Sequence, residues 1–545
     1  MNRHESRDAG QDIRTEEGAA DLVSRGHLLK SEGRIEEAFR TFNRALELDV
    51  DSTEAWRALA QILADLNRHH EAALSFQHVL KLDPSDADAA YRAGLVLFKS
   101  GKFEEALALL DRSNQLQPDR SSTLQLRGLA LQELARLDEA LAEMHRAHAL
   151  DPARADICND VGVILLRLRR HEEALRWYDK AVALQPDFKL AHKNRAFMLS
   201  RLRRFDEAFA VYAALKAADP DDMEPDWSAA LLHLLLGNFE AGWVGREVRW
   251  KVPSLPIAKY NFPQPMWLGH EPVAGKTILI YQDEGLGDVI QFVRYVPGVA
   301  ALGARILLLV DAPLVPLLSK LPRIVECIPR ANNRSVTFDT HCAISSLPLA
   351  FGTRLETIPA DVPYLPYPDE ARISAWEQRL GPHDKLRVGL VWSGNRKHMD
   401  NGNRALPLRM LLPLLDCDAM FVSLQKETNT EDQATLRERP DIVDLTVHLT
   451  DFTETAALMA CLDLIITVDT SMPHLAGALA RPTWIMLQHM PDWRWLLDRE
   501  DCPWYPTAKL FRQTEPGNYA DVVGRVRHQL VARIAEWARG KLREP

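Results

Sequence analysis

Residues 101–118 read GKFEEALALLDRSNQLQP, and variants of this stretch recur along the N-terminal half of the chain. Acidic residues such as Glu104 and Glu105 favour the positive N-terminal end of a helix, and proline suits the start of the next helix. The pattern recurs every 34 residues at Ala38, Ala72, Ala106, Ala140, Ala174 and Ala208, at Gly242 in the same phase, and at Pro84, Pro118, Pro152, Pro186 and Pro220. Each unit is therefore predicted to be two antiparallel helices that approach closely at the alanine.

A period of 34 residues is typical of tetratricopeptide repeats, which stack into an all-α solenoid with a concave face. About seven repeats are predicted over residues 16–250, after a disordered lead-in at residues 1–15. We expect the concave face to bind a protein or glycan acceptor. The alternative is that the repeats only scaffold or dimerise. Protein O-GlcNAc transferases carry an asparagine ladder on this face, but only Asn194 fits among the equivalent positions Ser24, Ala58, Arg92, Leu126, Asp160, Asn194 and Ser228.

The overall composition limits the possible functions. With 545 residues the chain is too long for one hydrophobic core, so two or three domains are expected. A net charge of −10 argues against nucleic-acid binding as the main role. The six cysteines are scattered without a Cys-x-x-Cys pair, which indicates a reducing compartment. Because no stretch is apolar enough for a membrane span or a signal core, we expect a cytoplasmic protein.

The periodic pattern changes near the end of the repeats. Residues 242–250 read GWVGREVRW, and Trp243 and Trp250, together with an arginine, are predicted to cap the repeats and dock on the next domain. Residues 251–275 contain five prolines. That density excludes regular structure but permits an ordered, extended connection.

Short β-branched runs alternate with amphipathic helical patterns from Lys276 onward. This alternation predicts an α/β fold with parallel sheet. The predicted strands are Thr277–Tyr281, Arg305–Val310, Arg387–Trp392, Met420–Leu424, Leu464–Val468 and Thr483–Leu487. A proline-containing run at residues 363–368 divides the region into two Rossmann-like halves, residues 276–365 and 366–545. A ligand is expected in the cleft between them.

The first predicted strand is followed by QDEGLGDVIQ at residues 282–291. Gly285 and Gly287 allow the backbone to turn tightly from the strand into a helix. Asp288 then lies at the start of that helix, at the edge of the sheet where such folds bind ligands. The helix N-terminus is expected to keep Asp288 ionised. The alternative is that Asp288 only caps the helix.

Two further loops carry polar side chains. VDTSMPH at residues 468–474 places Asp469, Thr470 and Ser471 before a helix whose N-terminus suits a phosphate, with His474 as a possible donor. The alternative reading makes the hydroxyls helix caps and His474 a surface residue. The basic loop from Ser393 and Gly394 to Arg404 is expected to neutralise a diphosphate without metal, or else to be a solvated loop.

Gly287-Asp288 after a strand, with Asp469-Thr470-Ser471-Met472-Pro473-His474 before a helix, resembles the two signature loops of heptosyltransferase-type glycosyltransferases. The resemblance covers roughly residues 276–533. It implies a GT-B fold in which the first half holds the acceptor and the second half a nucleotide diphosphate sugar. It also implies that Asp288 is the general base of an inverting transfer. The implied donor-binding residues are Ser393, Gly394, Arg404, Asp469, Thr470, Ser471 and His474. The chain departs from the family at Ser471, where glycine is preferred.

The resulting hypothesis is an inverting hexosyl- or heptosyltransferase without resident cofactor or metal. Asp416-Cys417-Asp418 has the Asp-x-Asp spacing of metal-dependent transferases, but its position between a helix and a strand favours a turn. The aromatic stretches at residues 492–495 and 504–506 either flank the donor or belong to the core. Two other functions stay open: a non-catalytic repeat adaptor with a vestigial transferase domain, and a nucleotide-sugar epimerase.

Overall fold

The computed structural model describes residues 17–331, 336–394 and 404–541. The predicted lead-in and most of the predicted basic loop lie outside these residues. The chain divides into two compact units: the first ends at Arg204 and the second begins at Phe205. We call them the repeat unit and the α/β unit.

In its described residues, the repeat unit consists of five antiparallel helix pairs in the predicted register, followed by one further helix. Its helices are α1 (Ala19–Ser31), α2 (Ile35–Leu48), α3 (Thr53–Asp65), α4 (His69–Leu82), α5 (Ala87–Lys99), α6 (Phe103–Leu116), α7 (Ser121–Glu133), α8 (Leu137–Leu150), α9 (Ala155–Arg167), α10 (His171–Leu184) and α11 (Lys189–Arg201). The periodic alanines of the second helices are fully buried. The first helices also carry small residues where they contact the second helices: a Cβ on Gly162 would lie 2.4 Å from the Tyr178 ring. Close approach at small residues therefore sets the period.

Two local features of the repeats differ from the expectation or add to it. The periodic prolines lie in the loops before the first helices, as Pro118 does before α7, and not in their first turns. Proline ends the preceding helix there. The turn within each pair has a positive φ, which is 75° at Gly101 but also 58° at Ala135 and 61° at Arg169. Glycine is thus favoured at this position but not required.

The α/β unit begins with the last helices of repeat type. These are α12 (Phe205–Ala218), α13 (Glu224–Leu235) and α14 (Phe239–Arg246), followed by the 3-10 helix Glu247–Lys251. Residues 252–276 contain no helix or strand, as predicted from their prolines. The segment is nevertheless ordered: the Trp267 N–H donates to the His341 carbonyl at 2.7 Å and the Ala258 N–H to the Asp283 carbonyl at 2.9 Å.

Two parallel sheets follow. The first has the order β3-β2-β1-β4 and the second β6-β5-β7-β8-β9. The strands are β1 (Thr277–Tyr281), β2 (Arg305–Val310), β3 (Ile324–Pro329), β4 (Thr340–Ala343), β5 (Arg387–Val391), β6 (Met420–Ser423), β7 (Leu464–Val468), β8 (Thr483–Leu487) and β9 (Ala508–Arg512). All six predicted strands are present, and β3, β4 and β9 were missed.

The sheets are connected and covered by further helices. They are α15 (Leu286–Phe292), α16 (Val296–Ala301), α17 (Val315–Leu318), α18 (Leu347–Ala350), α19 (Glu370–Leu380), α20 (Leu412–Leu415), α21 (Thr430–Glu438), α22 (Phe452–Ala460), α23 (Ser471–Ala478) and α24 (Tyr519–Lys541). The predicted fold class, an all-α repeat solenoid followed by an α/β domain with two Rossmann-like halves, is confirmed. The predicted limits of the domains stay predictions. Within the described ranges, no helix combines the length and apolarity that a membrane crossing requires.

Candidate functional site

The first and second predicted loops come together although they are far apart in the sequence. Each loop follows the carboxyl end of a parallel strand, β1 or β7, and leads into a helix, α15 or α23, and these two helices pack against each other. The contact is close at Gly287, where a Cβ would lie 3.0 Å from His474 Cδ2 and 3.4 Å from Ser471 Cα. A small residue at Gly287 therefore allows the two helix starts to meet.

Asp288 lies in the first turn of α15 and is largely enclosed. Its Oδ2 accepts a hydrogen bond from the Gly285 N–H at 2.9 Å, and its Oδ1 forms an ion pair with Arg494. Only 17% of the side chain is exposed. Burial raises the pKa of Asp288 to about 6, with Arg494 opposing the rise and Glu284 adding to it. The carboxylate is thus a stronger base than a helix N-terminus alone would leave it, and it is still mainly ionised at neutral pH.

Arg494 connects the two halves at this point. Besides Asp288, it donates from Nη1 to Asp492 Oδ1 at 2.8 Å and from Nε to Gln291 Oε1 at 2.6 Å. Its guanidinium lies 4.3 Å from the centre of the Trp493 ring. The sequence singled out residues 492–495 for their aromatic side chains, and it gave no sign that the arginine between them reaches Asp288.

The second loop is partly explained by capping. Thr470 precedes α23, and its Oγ1 accepts a hydrogen bond from the Met472 N–H at 3.1 Å. Ser471 is the first residue of the helix. Asp469 is buried, and burial followed by repulsion from Asp492 raises its pKa to about 7, whereas Arg404 and Arg494 lower it. The loop therefore presents a helix N-terminus beside a carboxyl group that changes its charge near neutral pH.

His474 is buried, so its reading as a surface residue was wrong. The side chain is only 4% exposed. Its Nδ1 lies 2.8 Å from the Tyr505 hydroxyl oxygen, and its ring stacks on Trp495 at 5.4 Å. Burial, reinforced by nearby arginines, holds the pKa of His474 well below its usual value. It is therefore a neutral imidazole, whose one ring N–H is its only hydrogen-bond donor.

The third loop is described at its two ends. Gln425, after β6, accepts hydrogen bonds from the N–H groups of Trp392 (3.2 Å) and Ser393 (2.9 Å). Gln425 was missed because its partners lie more than thirty residues away. Arg404 lowers the pKa of Asp469, so its charge acts on the second loop. Among the described residues its Nε is buried without a hydrogen-bond partner.

The described residues offer no cluster of side chains for a metal ion. Across these ranges, no three histidine, cysteine, aspartate or glutamate side chains lie close enough to hold a metal ion. The Asp-x-Asp carboxylates pair with cations instead, Asp416 with Arg439 and Asp418 with Lys385. They lie between α20 and β6, where a turn was predicted.

Comparisons with known families agree with both parts of this description. Three segments match models of tetratricopeptide repeats: residues 19–62, 63–128 and 126–189. Residues 419–486 match the model of glycosyltransferase family 9, described as heptosyltransferase. That match spans β6 to β8 and includes the second loop. The recognition drawn from the sequence, repeats followed by a domain of heptosyltransferase type, is confirmed.

Similarity to individual proteins is more distant. Protein FlbA of Caulobacter vibrioides is 28% identical over 326 residues, which are 54% of this chain and 53% of the relative. The chain thus spans about half the length of the curated relative it matches. Among solved structures, YrrB, a TPR protein described as having an unusual peptide-binding site, is 29% identical over 32% of this chain and 91% of its own, with a TM-score of 0.31. MamA from Desulfovibrio magneticus RS-1 is 26% identical over 31% and 96%, with a TM-score of 0.30.

Proposed function

Because the chain joins tetratricopeptide repeats to a segment of glycosyltransferase family 9, we propose that it transfers a hexosyl or heptosyl group with inversion from a nucleotide diphosphate sugar. The proposed fold is GT-B, with the acceptor on the first sheet and the donor on the second. The observation that supports the proposal is the close contact of Gly287, the residue before Asp288, with the first turn of α23. A proton acceptor and an anion-binding helix start, one from each half, are proposed to face one site.

Asp288 is the proposed general base. An inverting transfer needs a group that takes the proton from the acceptor hydroxyl as its oxygen attacks the anomeric carbon. With a pKa of about 6, Asp288 is ionised at neutral pH and close to the range that suits proton transfer. A carboxylate has about four lone-pair positions. The Gly285 and Arg494 contacts therefore leave capacity for an acceptor hydroxyl.

The second half is proposed to bind the donor. Charge that develops on the leaving diphosphate is stabilised by donors fixed in place beforehand. The dipole of α23 favours negative charge at its N-terminus, although the Met472 N–H already donates to Thr470 Oγ1 and Pro473 has no N–H. Arg404 and the Ser393–Gly394 loop would contribute further donors, and neutral His474 a single N–H. Asp469 is proposed to contact the sugar or ribose hydroxyls, since a carboxylate repels the diphosphate.

The repeats are proposed to present the acceptor, a protein or a glycan. Their helices are stacked in register over the repeat unit, which gives a continuous surface. An enzyme whose acceptor is a small sugar has no need of such a surface.

Binding and transfer test the proposal together. Panels of ADP-, GDP- and UDP-sugars are added to the full chain, and the thermal unfolding midpoint is measured with and without EDTA. A donor at a hundred times its dissociation constant should stabilise the chain by about 2.7 kcal/mol. Transfer to a lysate acceptor is then followed with the labelled sugar. The control for variants at the proposed site, such as Asp288→Asn, is Asp418→Asn, which replaces a surface carboxylate away from that site. Stabilisation by no donor would favour the non-catalytic adaptor instead.

A further inference from the structure

The 3-10 helix after α14 and the end of α14 itself lie directly behind the loop that carries Asp288. Two arginines of this segment, Arg246 and Arg249, are among the most buried charged side chains of the α/β unit. Both reach acidic residues of the Asp283–Asp288 loop. The segment was predicted from the sequence to be a cap formed by its tryptophans and an arginine, but the sequence did not indicate the acidic partners of its arginines.

Arg246 holds the middle of the loop. Its Nη2 forms an ion pair with Glu284, and its Nη1 donates to the Ser345 carbonyl oxygen at 3.0 Å. The guanidinium also lies 5.9 Å from the centre of the Trp493 ring. One side chain therefore links α14 to the Asp288 loop, to the loop after β4 and to the segment that contains Arg494.

Arg249 holds the start of the loop. Its Nε donates to Asp283 Oδ2 at 3.1 Å, and its Nη2 donates to the Ser346 hydroxyl at 2.6 Å. The Ser345 hydroxyl donates to the same Asp283 carboxylate at 2.5 Å. The ion-paired carboxylate and guanidinium are both fully buried.

Aromatic packing fixes the segment in place. Trp243 of α14 donates from Nε1 to the Thr353 carbonyl oxygen at 3.0 Å. Its ring meets Trp493 edge-on at 5.2 Å and also packs against Trp504. The arginines therefore approach the Asp288 loop from a rigid support.

We propose that Arg246 and Arg249 are positioning residues of the transfer reaction, which hold the Asp283–Asp288 loop so that Asp288 faces the N-terminus of α23. This inference rests on the proposed function. Replacing a buried ion pair by apolar side chains is often neutral for stability, so such a pair is better explained by the geometry it imposes. Here two pairs hold consecutive residues of one loop, a few residues before the base. The last repeat-type helix would then be a working part of the transferase.

The charges around Asp288 give this inference a specific signature. They are Arg494 and Asp492 from the segment after β8, Glu284 from its own loop and Arg246 from α14. The region of α23 adds Asp469, which is titratable, and His474, which is neutral. Arg246 favours the ionised form of Asp288, and Glu284 disfavours it. Removing either one alone should move the pH midpoint of activity in opposite directions. Opposite shifts would show that both charges act on Asp288, and the positioning role would show separately as a loss of kcat at an unchanged midpoint.

The test measures the pH profile of kcat/KM for the full chain and four variants. Arg246→Gln should raise the midpoint, Glu284→Gln should lower it, and the double variant should return it toward the wild-type value. Arg246→Lys keeps the positive charge but loses the simultaneous contacts of the guanidinium with Glu284 and with the Ser345 carbonyl oxygen. It should keep the midpoint while kcat falls by up to about 10²-fold, the cost of a misplaced catalytic group. Donor KM should change little in all four variants.

Arg354→Gln is the matched control. Arg354 pairs at 2.6 Å with Glu240, which lies on α14 like Arg246, but both side chains of this pair are more than 60% exposed. This variant should match the wild type in midpoint and kcat. Midpoints that do not move in Arg246→Gln or Glu284→Gln would overturn the proposal.

Hydrogen–deuterium exchange of residues 282–292 adds a readout that needs no substrate. Arg246→Gln should make these amides exchange about tenfold faster, because local stability falls when a buried partner is left unpaired. Arg354→Gln should exchange at the wild-type rate. The comparison with the wild type can be made even if the wild type proves inactive with every donor. Inactivity of the wild type would refute the proposed function alone. Unchanged exchange in Arg246→Gln would refute the positioning role. If Arg246→Gln does not fold, Glu284→Gln and Arg246→Lys decide the matter.

Discussion

One arginine–carboxylate pair of the repeat unit and one of the α/β unit differ in their surroundings and in their span along the sequence. Arg170 and Glu173 are 45% and 39% exposed, lie three residues apart and form two hydrogen bonds of 2.6 and 2.7 Å. Arg494 is 11% exposed and joins Asp288, which is 206 residues away. The first kind of pair recurs at Arg34, Arg68, Arg136 and Arg170 at the start of a helix. The second kind brings separate elements to one site.

The difference shows which charges serve local structure and which serve the site. An exposed pair contributes about 0–1 kcal/mol, because water screens it and ordering the side chains costs entropy. A buried pair adds little net stability, but the loss of one partner leaves an uncompensated charge. The four predictions that follow test this contrast, from the largest expected effect to the smallest.

Trp243→Ala should destabilise the α/β unit by about 3–5 kcal/mol, the usual cost of removing a buried aromatic side chain. Chemical denaturation of the full chain, followed by tryptophan fluorescence, measures the loss. Val244, the next residue of α14, is 64% exposed. Val244→Ala should therefore change the free energy of unfolding by less than about 0.5 kcal/mol. Equal effects of the two changes would mean that α14 is not docked as described.

Arg494→Gln should cost about 3 kcal/mol, the lower end of the range for breaking a buried pair, because 17% of Asp288 is exposed. Arg170→Gln in the repeats should cost no more than about 1 kcal/mol. Loss of Arg494 should also raise the pH midpoint of transfer, since Arg494 lowers the pKa of Asp288. Similar losses of unfolding free energy in Arg494→Gln and Arg170→Gln would contradict the difference between the buried and the exposed pair.

Asp469→Asn should stabilise the chain at pH 8 and have a much smaller effect at pH 5. The pKa of Asp469 is raised to about 7 by burial and by Asp492. A carboxyl group with a raised folded-state pKa binds its proton more tightly when folded, so its contribution to stability is lost as pH rises through that pKa. Thermal unfolding at both pH values measures the effect. A larger gain at pH 5 than at pH 8 would contradict the assigned direction.

Arg169→Gly should stabilise the repeat unit by about 0.5–1 kcal/mol. Arg169 has a φ of 61° in the turn between α9 and α10. The left-handed conformation costs a non-glycine residue about 1–2 kcal/mol, part of which is offset by the greater flexibility of unfolded glycine. Gly101→Arg, at the equivalent turn between α5 and α6, should have the opposite sign in the same denaturation experiment.

The same contrast explains how much of the fold the sequence predicts. The repeats could be predicted because their determinants are local: small residues such as Ala106 recur at a fixed spacing. The central strands could be predicted from their apolar runs. Strands β3, β4 and β9 were missed, and all three are edge strands. Edge strands carry charged residues that hide the strand pattern, as Glu326 does in β3 and Lys509 in β9.

The candidate site follows the same rule. Asp288, Asp469 and His474 were singled out because each stands in a short motif after a strand. Arg494 and Gln425 were not, because their partners are remote in sequence. The partner of Arg246 could not be predicted either, since no local pattern marks a side chain that acts on another element. The low exposure of His474 could not be predicted either, since it depends on Tyr505 and Trp495.

The central claim is that Asp288 acts as a base beside a donor site formed by the other half. Asp288→Asn tests it directly, because asparagine keeps the size of the side chain and an oxygen that accepts from the Gly285 N–H. Donor affinity by calorimetry and single-turnover transfer are measured on the same preparation. We expect donor affinity to be nearly unchanged and transfer to fall by about 10²–10⁴-fold. Wild-type transfer by Asp288→Asn, with the true donor and acceptor, would contradict the account and leave Asp288 as a helix cap.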